Sequence, residues 1–128
     1  MEQMIPNTKI SQTILEFGKP VINALPRGYT KAEFENALLI VITVWNAVVS
    51  DSWAGNRRFE LELYEALKDA PKEDLLQIKR LVKRKKAKFG SDLRGVGEHW
   101  VREDEADFIF GCDARLDVKN APASSSKH

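Results

Sequence analysis

The chain has 128 residues, 43% hydrophobic and 30% charged, and its 20 Lys and Arg against 19 Asp and Glu leave a formal net charge of +1. That balance excludes a surface built throughout to hold nucleic acid or anionic lipid, because such affinity comes from accumulated positive charge. Leu, Ile, Val and Phe fill 35 positions, above the roughly 20% of a chain below which disorder is expected, so a single packed domain over residues 1–119 is predicted.

Residues 1–9 carry little pattern and are expected to be poorly ordered. Met1 to Pro6 lacks the basic start and apolar stretch of a secretory signal, which predicts a cytoplasmic protein. Ser11 can cap a first helix carrying Ile14, Leu15, Phe17, Val21, Ile22 and Leu25, with Gly18 and Pro20 bending or splitting it before a turn at Pro26 to Gly28. Thr30 and Glu33 form a capping-box signal for a second helix. From Ala32 to about Ser50 this helix is apolar nearly all round, as expected at the centre of a small core. Its longest apolar run, Ala37 to Val49, contains Thr43 and Asn46 and falls short of the ~20 residues that cross a bilayer, so no membrane partner is expected. Asp51 to Asn56 reads as a loop that exposes Trp53. A third helix, about Arg57 to Lys68, gathers Phe59, Leu63, Ala66 and Leu67 on one side and turns Glu60, Glu62 and Glu65 largely elsewhere.

Pro71 suits a helical first turn and Glu73 and Asp74 suit its positive end, so a fourth helix follows, with Leu75, Ile78, Val82 and Phe89 inward and Gly90 as a left-handed stop. The period then changes. Phe108, Phe110, Cys112, Ala114 and Leu116 alternate with Ile109, Gly111, Asp113, Arg115 and Asp117, and the run Glu98 to Arg102 can pair with them across an acidic turn near Glu103 to Asp107. Residues 120–128 are small and polar and read as a flexible tail. The predicted class is α+β: a four-helix N-terminal bundle with a central apolar helix, followed by a C-terminal β-hairpin.

Three groups of residues are candidates for function. Residues 71–90 hold eight basic and two acidic side chains. On a helix Lys79, Lys83 and Lys86 share a face, Arg80 and Arg84 lie beside it, and Arg94 extends the patch, so several phosphates or an acidic partner could be met together. A solvated face, with lysine stems along the core edge, has the same signature. From Glu98 to Asp113 six acids stand against Arg102 alone, so hairpin and helix can neutralise each other or meet separate partners. The second group is a polar stripe on the central helix. At about 100° per residue, Asn36, Thr43, Asn46 and Ser50 fall at about 0°, −20°, −80° and −40°. Such a stripe faces solvent or a groove edge, or is buried with partners that fix helix register, or lines a ligand pocket. The third group is aromatic: Trp45 belongs to the core by periodicity, Trp100 takes a structural place on a strand face with Arg102, and Trp53 is the exposed one.

Catalytic signals are thin. The sequence has no Gly-rich phosphate loop, nucleophile elbow or paired-histidine helix. A lone Cys112 permits no intrachain disulfide, and His99 and His128 are too few for a typical zinc centre. No catalytic residue, metal or cofactor is assigned. The expected function is a non-catalytic interaction module, an adaptor, inhibitor or regulatory subunit, whose partner is another protein or a second copy in a homodimer. A nucleic-acid-binding protein using residues 79–88 is the alternative, and an enzyme with an unfamiliar site near Asp51 and His99 is a third class.

Overall fold

The computed structural model describes residues 9–105 and 107–115; the expectations for residues 1–8, for Leu116 and Asp117, and for the tail lie outside them. Gly18 and Pro20 split the first helix, giving α1 (Ile10–Phe17) and α2 (Lys19–Ile22). Ser11 does not cap α1, which starts one residue earlier at Ile10. Gly18 also lets the chain pass close to the central helix, since a Cβ there would stand 2.9 Å from Val41.

Thr30 and Glu33 form both bonds of the capping box, the Thr30 Oγ1 accepting from the Glu33 N–H at 3.1 Å and the Glu33 carboxylate from the Thr30 N–H at 2.8 Å. The helix they start, α3 (Lys31–Ala54), overruns its expected end near Ser50 by four residues. Asp51 and Trp53 therefore sit on a helix and not in a loop, and the stop comes at Gly55, whose φ of 73° favours glycine. Next come α4 (Arg58–Ala66) and α5 (Lys72–Lys88). Pro71 precedes α5 as its cap, and Phe89, not a left-handed Gly90, closes it.

The strands are β1 (Gly95–Asp104) and β2 (Asp107–Arg115), antiparallel, with β1 longer than the sequence predicts. Their two-residue connection opens on Glu105 at φ 56°, and Gly97 and Glu98 form a bulge against β2 between the pairs Val96–Ala114 and His99–Cys112.

Among the described residues five helices and a hairpin thus make the α+β fold, the extra helix arising from the split at Gly18. α3 is its axis: α1, α2, α4, α5 and β1 all pack on it, and α1 also meets β2. Val41, Val44, Trp45 and Val49 of α3 are fully buried with Ile14 and Phe17 of α1. By length and hydropathy α3 would span a bilayer, which the shorter apolar run did not suggest; here its central place in the core accounts for the same composition. The hairpin lies along α3 with β1 antiparallel to it, tied at one end by Asn46 and Val96 and at the other by Phe108 stacked on Phe34 at 5.7 Å.

Candidate interaction surfaces

The basic stretch is divided between the interior and the surface. Lys85, 1% exposed, is buried beneath the end of α5. Its ammonium donates to the carbonyls of Phe89 (2.6 Å) and Asp92 (2.9 Å) and lies 4.3 Å from the Trp45 ring centre, so it satisfies acceptors that the helix end would leave open. Burial pushes its pKa down to about 8, opposed by the charge of Asp92. Arg84 performs the same service for α1, donating from Nε to the Phe17 carbonyl (2.8 Å) and from Nη2 to that of Glu16 (2.9 Å). Arg94 grips the buried Asp92 carboxylate through Nε (2.9 Å) and Nη2 (2.8 Å) and reaches Thr13 Oγ1 at 3.3 Å. Of the six predicted binding cations, Arg84 and Arg94 therefore cap and clamp the fold. Lys79, Arg80 and Lys83 remain exposed without an ion pair among the described residues, Lys79 standing over the Tyr64 ring at 5.2 Å.

Lys86 is also paired, and its partner overturns an expectation. Glu60 does not face solvent: it is buried between α4 and α5, where its carboxylate accepts from Arg57 (2.9 Å), Tyr64 Oη (2.8 Å) and Lys86 (2.8 Å). The Arg57 hydrogen bonds hold its pKa down to about 2 against the cost of burial, with Lys86 and Tyr64 assisting. Because the folded value lies below the usual 4.5, this contribution is complete above that pH and is lost as pH falls toward 2. We expect about 2 kcal/mol to disappear over that window, less than the shift alone would give because Arg57 is well hydrated. Urea unfolding at about pH 6 and about pH 3 checks this. An E60Q chain losing as much stability on acidification as the wild type would refute it.

The polar stripe of α3 has two fates. Asn36 and Thr43 are exposed, while Asn46 and Ser50 are half-buried. Asn46 engages β1 as a strand would, its Oδ1 accepting from the Val96 N–H at 2.7 Å and its Nδ2 donating to the Val96 carbonyl at 3.0 Å. Thr43, Asn46 and Ser50, with Ala47, also floor one side of an open groove of about 350 Å³, whose other side is Phe59, Glu62, Leu63 and Ala66 of α4. Beyond the groove, one turn before Thr43, the same side of α3 presents Leu39 at 53% and Ile40 at 37% exposure, with Asn36 a turn further.

The tryptophans exchange roles. Trp53, expected in solvent, is half-buried at the end of α3, where a Cβ on Gly95 would meet its ring at 3.6 Å. Trp100, expected in a structural place, is 47% exposed and covers Gly111 of β2, with the Arg102 guanidinium 4.8 Å above its ring. Trp45 is core as predicted.

Asp51, at the centre of the enzyme alternative, is buried and occupies the N-terminus of α4, both oxygens accepting at 2.9 Å from the N–H groups of Phe59 and Glu60. Its full use as a cap leaves the carboxylate no oxygen free of a fold contact. His99 lies on the hairpin, 6.5 Å from the Phe110 ring. Burial, aided by Asp113, pushes the Cys112 thiol up to about 11, so it stays protonated near neutral pH. Among the described residues no three His, Cys, Asp or Glu side chains gather to hold a metal. Sequence reasoning missed Glu60, Lys85 and Asp92. Arg57 and Tyr64, three and four residues from Glu60, and Arg94, two residues from Asp92, were visible signals; nothing local marked Lys85. Comparison with family models, curated proteins and solved structures finds no match.

Proposed function

We propose that the chain is a non-catalytic interaction module that receives a protein partner along the α3–α4 groove. One observation carries this: α3, buried along its core side, leaves Leu39 and Ile40 exposed in line with a groove lined by Ala47, Phe59, Leu63 and Ala66. Contiguous exposed apolar surface rimmed by polar groups is a common mark of a protein interface. The internal use of Glu60, Lys85, Asp92, Asp51 and Arg84 supports the same reading, since each of these charges is engaged in contacts that stabilise the fold.

The test is a partner capture with three baits: the wild type, I40E and L63R. Specific partners retained by the wild type and lost from both variants support the groove. Equal capture by all three removes it. The polyanion reading rests on the exposed, unneutralised Lys79, Arg80 and Lys83. Replacing those three by Glu tests it without touching Lys86, whose reversal would set a second carboxylate against Glu60. If it holds, mixed RNA and DNA bind the wild type at low salt, with log affinity falling by about 0.7 to 0.9 per phosphate contacted for each decade of salt, and the triple variant does not bind.

A further inference from the structure

The two-residue connection of the hairpin fixes which backbone groups of β1 face outward. Asp104 and Asp107 flank the turn and form a hydrogen-bonded pair, so by antiparallel alternation Glu103–Phe108, Val101–Phe110 and His99–Cys112 are the pairs that do not bond each other. The N–H and C=O groups of His99, Val101 and Glu103 accordingly point away from β2. Val96 shows the same parity beyond the bulge, and its outward groups are those that Asn46 engages. No hydrogen bond takes up the groups of His99, Val101 or Glu103 among the described residues. α3 packs on β1 and α1 on β2; among the described residues the outward groups of β1 that α3 takes up are those of Val96.

We propose that the chain forms a homodimer through this edge, β1 pairing antiparallel with β1 of a second copy about a two-fold axis at Val101. The sequence His99-Trp100-Val101-Arg102-Glu103 is complementary to itself in that register. His99 falls opposite Glu103 of the other copy, Trp100 opposite Arg102, and Val101 opposite itself. On one face a basic ring meets a carboxylate. On the other the stacking of Arg102 on Trp100, already present within the strand, is repeated across the axis. A register centred on Trp100 would run into the bulge at Gly97 and Glu98, whereas the one centred on Val101 spans only regular strand.

The contact forms about six backbone hydrogen bonds, two for each bonded pair, and joins the hairpins into one four-stranded sheet. It is isologous and closes at two copies. Two exposed apolar groups lie along it. Trp100 is on β1 itself, and Leu39 stands two turns before Asn46 on the side of α3 that borders the same edge. Charged residues on an edge strand ordinarily deter pairing; here His99 answers Glu103 and Trp100 answers Arg102 in the self-complementary register. The edge adjoins the α3–α4 groove at Asn46, but none of its pairing residues lines that groove, so either can fail without the other.

Sedimentation equilibrium of the full chain across the micromolar range is the test. The wild type dimerises. H99E sets two like-charged pairs across the axis and weakens association at least about tenfold, and H99E with E103K restores it. V101P is monomeric with the hairpin retained, because the Val101 N–H serves no bond to β2. A wild type that stays monomeric overturns the dimer. Association unaltered in H99E overturns the edge, as does a V101P dimer. Failure of the double charge exchange to restore association overturns the register. Should V101P not fold, the charge variants alone decide, and dimerisation intact in I40E and L63R separates this surface from the groove.

Discussion

Trp45→Ala costs about 3 to 5 kcal/mol of stability, a sum comparable to the whole margin of many small domains. The side chain is fully buried and meets Phe17 and Phe89 edge-on, with ring centres 5.2 and 5.8 Å away. Its Nε1–H donates to the Arg94 carbonyl at 2.6 Å, and the Lys85 ammonium rests on its face. Alanine removes the volume, the donor and the ring together. Trp45→Phe separates them, keeping most of the volume while leaving the carbonyl without its donor, and should cost less, about 1 to 3 kcal/mol. Urea unfolding followed by circular dichroism measures both. A midpoint unchanged in Trp45→Ala would mean that α3 is not the axis of the core.

Asp92→Ala should rank close behind, at about 3 kcal/mol. Asp92 is 4% exposed, and the change withdraws its carboxylate from a guanidinium that is itself mostly buried, leaving that charge poorly compensated. Arg94 carries three duties at once: its side chain reaches Thr13 on α1, its carbonyl accepts from Trp45, and the next residue begins β1. Loosening it therefore disturbs the joint between α1, α3 and the hairpin. Asp92→Asn keeps the shape and part of the hydrogen bonding, so its loss should be smaller. If both variants unfold with the wild type, the pair is a spectator.

What the sequence made legible was local. The capping box of Thr30 and Glu33, the interruption at Gly18 and Pro20 and the alternation from Phe108 onward all act through neighbours within a few residues, and the α+β architecture followed from them. The error at the end of α3 had a visible remedy, because Gly55 is the stop and Trp53 lies eight residues after Trp45, on helical spacing. The fate of the charges was not legible. A run of cations reads as one patch, yet Arg84 finds its carbonyl 67 residues away and Lys86 its carboxylate 26 away. Only the tertiary fold decides which charges are neutralised, and a side chain capping another helix looks in sequence like one in water. Trp100 escaped for a related reason: its neighbour on β2 is Gly111, which leaves a flat place for the ring without enclosing it.

The bond between Asn46 and Val96 also bears on the order in which the molecule assembles. It spans 50 residues of chain, and closing so large a loop has an entropic cost that no nearby contact defrays in advance. The α3–α4 joint, held by Asp51 over eight and nine residues, closes far more cheaply. By this logic the α3–α4 joint organises first and the hairpin docks late, Asn46 acting as a latch that engages only when a surface already exists to receive the strand. Fractional effects on the folding rate are then small for substitutions at Asn46 and larger for those at Asp51; a rate effect near unity at Asn46 would reverse that sequence of events.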